Sequence, residues 1–122
     1  MSRLRIAVPL LTAALGVSLL AESADAAKSL AAPNPLQGAT AVGQVKLTWG
    51  NIGGETGYVI ERRVYAVGVF AEIGKTTADM TAYTDLLTES ASYEYRVRAY
   101  KTGGGMSYSP YTNSVVSTVP CE

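Results

Sequence analysis

The chain has no histidine, and only one cysteine, one tryptophan and one phenylalanine among its 122 residues. Without histidine there is no serine–histidine or cysteine–histidine triad, and any metal site lacks its commonest donor. The single cysteine, Cys121, precedes the C-terminal Glu122. No internal disulfide can form, so a core alone must hold the fold. Charge of one sign is also missing: ten Lys and Arg balance ten Asp and Glu. The basic residues Lys46, Arg62, Arg63, Lys75, Arg96, Arg98 and Lys101 are scattered along strands, which reads as a solvated sheet face and gives no reason to expect nucleic acid. Gly103-Gly104-Gly105 is followed by a strand pattern, whereas a phosphate cradle needs a helix N-terminus.

No hydrophobic run is long enough to span a bilayer. Ile6 to Ala21 is apolar for sixteen residues and carries Pro9 and Gly16, short of the roughly 20 residues a spanning helix needs. Arg3 and Arg5 precede it and the small-x-small site Ala24-Asp25-Ala26 follows, the layout of a secretory signal peptide over residues 1–26. No cysteine follows the run to accept a lipid. The expected mature chain is a short linker (27–32), one domain (33–120) and a two-residue tail (121–122), secreted or periplasmic and free of the membrane once the leader is cleaved.

What is present is β patterning with no convincing helix. Val45, Leu47 and Trp49 alternate with polar residues, Tyr58 and Ile60 form a second inward set, and Tyr93, Tyr95, Val97 and Ala99 alternate with Glu94, Arg96, Arg98 and Tyr100. Shorter segments at Ala31–Leu36, Phe70–Ile73, Ala82–Thr84 and Asn113–Val119 bring the expected number of strands to seven, with Thr76 to Met80 as a polar connection. Tyr93 stands six residues after Leu87, the spacing of a tyrosine corner, in which the ring packs inside and the hydroxyl returns to the backbone upstream. That feature predicts an all-β, seven-stranded Greek-key β-sandwich of immunoglobulin type. Its core centres on Trp49, with Leu47, Tyr58, Ile60, Leu87, Tyr93, Tyr95 and Val97 around it.

These residues carry a family likeness. P-x-x-L at Pro33 to Leu36, V-x-L-x-W at Val45 to Trp49, G-Y-V-I-E-R at Gly57 to Arg62 and F-A-E-I-G at Phe70 to Gly74 occur in order. They are followed by Y-T-D-x-L at Tyr83 to Leu87, Y-x-Y-R-V-R-A at Tyr93 to Ala99 and Ser107-Tyr108-Ser109-Pro110 after a Gly-rich loop. As an ordered set they resemble a fibronectin type III domain of the kind found in bacterial extracellular proteins. Antibody-type immunoglobulin domains are set aside by the missing cysteine pair. Two departures stand out: the corner, Thr88 to Ser92, has no Pro or Gly, and no Arg-Gly-Asp precedes the last strand.

Catalysis is not expected. Glu61, Glu72, Asp79, Asp85, Glu89 and Glu94 could supply a glycosidase pair. Glu61 and Glu94 read instead as outward partners of Arg63, Arg96 and Arg98, and Asp85 as a turn cap. The resemblance implies a module without cofactor or metal that binds a protein or polysaccharide or acts as a spacer, or else an accessory domain of an enzyme or surface complex on another chain. Tyr100, Met106, Tyr108 and Tyr111, around the loop Lys101 to Tyr111, form the candidate contact surface; equally, Tyr100 and Tyr111 could merely cover the sheet edge. Cys121 is either an incidental tail thiol on a monomer or the anchor of an intermolecular disulfide. N-terminal sequencing of exported protein is expected to start at Ala27; a start at Met1 would mean the leader is retained.

Overall fold

The computed structural model describes residues 29–121. The expected leader (1–26), residues 27 and 28 of the expected linker, and Glu122 lie outside the described residues. Eight strands form two antiparallel sheets: β1 (Gln37–Ala41), β2 (Gln44–Thr48), β3 (Gly57–Val64), β4 (Ala71–Thr77), β5 (Ala82–Leu86), β6 (Ala91–Lys101), β7 (Ser107–Tyr108) and β8 (Val115–Val119). One sheet has the order β1-β2-β5; in the other, β4-β3-β6, strands β7 and β8 both pair with the far edge of β6. Because β2 pairs with β5 and not with β3, the chain crosses between sheets at residues 49–56, 78–81 and 87–90. This is a Greek-key sandwich.

Each strand follows its own alternation. Val45, Leu47, Tyr58, Ile60, Tyr95, Val97 and Ala99 are fully buried, and Trp49 and Tyr93 nearly so. Trp49 meets Tyr58 edge-on, with ring centroids 5.6 Å apart. Leu87 is half-buried against the same cluster. The Tyr93 hydroxyl donates to the Glu89 carbonyl at 3.2 Å, closing the loop between β5 and β6 despite its lack of Pro or Gly.

The structure departs from the sequence reading at the ends of strands. The segment 31–36 is not a strand; the first strand begins at Gln37. Pro33 and Pro35 have no N–H to give a ladder, and here the Pro33 carbonyl only accepts from Gly50 N. The expected connection Thr76 to Met80 is shorter, because β4 runs to Thr77 and the turn closes through Met80 N to Thr77 O. The expected last strand, Asn113–Val119, begins at Val115 as β8, and a short β7 forms inside the expected loop Lys101 to Tyr111; with β1 in place of the segment 31–36, the strands number eight. Between β7 and β8, Ser109 Oγ and Thr112 Oγ1 accept from Ala99 N and Val97 N, while Ser109 N and Thr112 N donate to the carbonyls of those same residues. Hydroxyls thus continue the ladder across the break and leave neither of these buried β6 amides unpaired.

Asp85 is no turn cap. It lies inside the sandwich, 6% exposed, where Arg62 Nη1 from the opposite sheet donates to both of its oxygens at 3.0 and 2.8 Å and the Tyr95 hydroxyl donates at 2.6 Å. Arg62 in turn covers the Tyr93 ring. The oxygens of a buried carboxylate need such partners in place of water. Burial, then the hydrogen bond to Asp85 and its charge, push the Tyr95 phenol well above the ordinary tyrosine range.

Asp85→Ala is expected to cost about 3 kcal/mol in urea denaturation, the low end for breaking a buried pair because Arg62 keeps 30% exposure. Tyr95→Phe should cost about 1 kcal/mol; equal costs would contradict the bridge. Because the phenol is neutral when folded, its contribution is complete below the unfolded pKa of about 10 and lost as pH rises above it. The denaturation midpoint should fall above that pH, and fall less in Tyr95→Phe.

Candidate functional site

The outer face of the larger sheet carries the charged alternates of β3 and β6. Glu61 faces Arg96 and Arg63 faces Glu94 in register, and each pair closes, Arg96 Nε to Glu61 at 2.8 Å and Arg63 Nη2 to Glu94 at 2.6 Å. The pairing with arginine agrees with the sequence reading, but both carboxylates are buried at 8% exposure although they face outward. The cover is aromatic. The guanidiniums of Arg63 and Arg96 lie 4.8 and 4.0 Å from the Phe70 ring, Arg96 and Arg98 lie 3.7 and 4.7 Å from Tyr111, and Arg98 lies 3.9 Å from Tyr108. Arginine and aromatic rings therefore alternate in one continuous stack, Arg63, Phe70, Arg96, Tyr111, Arg98, Tyr108. Planar guanidinium is the cation suited to this. The Tyr111 hydroxyl locks the stack by donating to Glu61 Oε2 at 2.9 Å, and burial followed by that bond raises its pKa. Arg63, chiefly through its hydrogen bond, holds the Glu94 carboxyl below the usual range.

The stack ends at Tyr108, which is 47% exposed, beside Met106 at 48%. Tyr108 pairs in register with Tyr100, whose ring carries the Lys75 ammonium at 5.1 Å. Tyr100 lies across β3 because Gly57 stands opposite it: a Cβ there would sit 3.0 Å from Tyr100 Cε1 and collide with the Thr76 carbonyl. Gly103, Gly104 and Gly105, all at positive φ, turn the chain from β6 into β7. Two other surfaces are less equipped. A shallow trough of about 470 Å³ on the smaller sheet is lined by Gln37, Gly38, Ala39, Lys46 and Thr48 and has no aromatic residue. The β3–β4 turn exposes Val67 and Val69.

Comparison with known proteins bears on the fold. No protein-family model and no curated protein matches the chain. Among solved structures, an Fn3-like protein from Clostridium thermocellum aligns with TM-score 0.62 at 22% identity, over 75% of this chain and 95% of that one. A fibronectin type III domain of human fibronectin type III domain containing protein 3 aligns with TM-score 0.53 at 20% identity, over 75% and 90%. The fold is fibronectin type III. The same fold aligns within a β-1,2-glucanase from Parabacteroides distasonis, TM-score 0.66 at 22% identity, where 75% of this chain corresponds to only 13% of that chain.

Within this fibronectin type III sandwich the four candidate contact residues separate into two kinds. Met106 and Tyr108 are exposed at the end of the sheet. Tyr111 is half-buried in the stack and Tyr100 is half-buried between Gly57 and Lys75. Cys121 is half-buried, its backbone N–H bonded to Ser90 Oγ and its thiol 3.6 Å from the Leu87 carbonyl, so the tail is anchored at this point. The six carboxylates do not gather at one place: Glu61, Asp85 and Glu94 are ion-paired, Glu72 stands on β4 in register with Glu61, and Asp79 and Glu89 lie apart in the β4–β5 turn and the β5–β6 loop. Sequence reasoning missed the stack and its member Phe70. The signal was there in R-V-R on β6 and Y-S-P-Y after the glycines, but only the pairing of β6 with both β3 and β7 aligns them.

Arg96→Lys keeps the charge but loses the planar contacts to Phe70 and Tyr111, and is expected to cost about 1–2 kcal/mol in urea denaturation. Unchanged stability would show that the stack is not a structural element.

Proposed function

We propose that this protein is a non-catalytic module, exported and cleaved, that binds an extracellular protein or polysaccharide through the exposed end of its larger sheet. One observation carries the reading. Tyr108 ends the arginine–aromatic stack half-exposed, braced from below by Arg98 and flanked by exposed Met106 and the Tyr100–Lys75 pair. Rigid aromatic area with a hydroxyl at its rim recognises ligands at low entropic cost. The absence of catalysis is supported by the commitment of Glu61, Asp85 and Glu94 to arginine and by the lack of histidine. Cys121, packed against the Leu87 carbonyl, fits a monomer with an incidental thiol.

A second reading is an accessory domain of an extracellular enzyme on another chain. It is favoured by the glucanase similarity, in which this fold is a small part of a larger protein. That rests on likeness of fold alone.

The test is retention of extracellular proteins and polysaccharides by immobilised exported protein, beside a Met106→Ala, Tyr108→Ala double variant with a parental denaturation midpoint. Retention by the parent and loss in the variant is the expected result. Equal retention by both would move the site elsewhere, and retention by neither would leave the spacer or accessory role.

A further inference from the structure

In the upper half of the same face the cationic donors have no carboxylate within hydrogen-bonding distance among the described residues. Arg63 and Arg96 in the lower half are each matched by one. Lys75 makes no ion pair among the described residues, and its ammonium rests on Tyr100. Among the described residues the one carboxylate near Arg98 is Glu61, at 3.9 Å through an oxygen that already accepts from Tyr111, and Arg98 Nε is buried without a partner there. Glu72, the remaining carboxylate on this face, pairs in register with Glu61 in the lower half. Lys75 and Arg98 lie on either side of Val59, each directly opposite it in register. Two strand spacings separate them, roughly 10 Å between backbones. Beside them lie the rings of Tyr100, under the Lys75 ammonium, and Tyr108, against the Arg98 guanidinium.

Resting on the binding-module reading above, we infer that this surface recognises an acidic polysaccharide, a chain of uronate or sulfated sugars. The spacing of Lys75 and Arg98 suits anionic groups repeated along a polymer better than one small anion. Charge-assisted bonds from Lys75 and Arg98 receive the acidic groups. The apolar C–H face of a sugar ring packs on Tyr108, whose other face is occupied by Arg98. An acidic peptide would meet the same cations but gain little from flat rings at the end of a sheet. The two cations set selectivity for charge; the rings set selectivity for sugar.

The test is binding of the exported protein to polygalacturonate, dextran sulfate, neutral dextran and polyglutamate, by calorimetry at low and at raised salt. Binding to polygalacturonate or dextran sulfate is expected, weakened by salt as screening shortens the reach of the charges. It should weaken about tenfold in Lys75→Gln, the loss of one charge-assisted bond, and be lost in Tyr108→Ala. Lys75 is an exposed edge residue without an ion pair among the described residues, so the variant should keep the parental denaturation midpoint, which is measured alongside. Polyglutamate binding as tightly as the acidic glycans would overturn the inference. So would dextran binding equally well and without salt dependence, although its loss in Tyr108→Ala would leave the module reading intact. Absence of binding to all four overturns the inference, and the retention experiment above then decides the module reading by itself.

Discussion

The alternation of side chains along β6 is the constraint on which the rest of this molecule depends. Its inward residues, Tyr93, Tyr95, Val97 and Ala99, are the buried side of the larger sheet, and its outward residues, Glu94, Arg96, Arg98 and Tyr100, make the charged and aromatic face. A slip of one residue against β3 would bury the arginines and expose the core. Register is therefore pinned from both edges. On one side eight consecutive pairs join β6 to β3, from Gly57–Tyr100 to Val64–Tyr93. On the other, β8 holds the lower half and β7 the upper, with Ser109 and Thr112 supplying the hydrogen bonds in the gap.

With no disulfide to join the sheets, polar chemistry does part of that work. Asp85 of the smaller sheet is reached by Arg62 and Tyr95 of the larger one, and its interaction is directional where the packing of Trp49 and Tyr58 is not. Such a bridge adds little net stability against an apolar substitute, but it penalises any arrangement that separates the partners. The outer stack works similarly. Glu61 and Glu94 are held by arginines that the rings cover in turn, so the face is rigid before any ligand arrives. Preorganised aromatic area of this kind makes the exposed end at Tyr108 suited to recognition.

What is legible in the sequence is whatever lies within one strand. The inward set of β2, β3 and β6 and the corner at Tyr93 follow from spacing along a single segment, and the resemblance to fibronectin type III domains from the order of such segments along the chain. Elements that depend on two segments meeting are not legible there. Asp85 follows Tyr83-Thr84 at the end of a short strand and reads as a turn residue until Arg62 is placed across from it. Val59 alternates outward yet is buried, because Lys75 and Arg98 flank it. Tyr111 looks like a loop residue, and becomes part of the sheet face only when Arg96, Arg98 and Glu61 are brought beneath it. Pro33 to Leu36 carries the family's opening motif and so reads as a first strand, although its prolines cannot donate to a ladder.

Core and proposed recognition surface thus occupy opposite faces of one strand, and the proposal requires ligand to be felt on the outer face alone. An amide-resolved NMR map of the protein, recorded with and without a short galacturonate oligosaccharide, tests this most directly. The account predicts shifts at Lys75, Arg98, Tyr100, Met106 and Tyr108, with the Asp85–Arg62–Tyr95 bridge undisturbed. Shifts gathered instead along the trough beside Gln37 and Thr48, or at the β3–β4 turn around Val67, would contradict it.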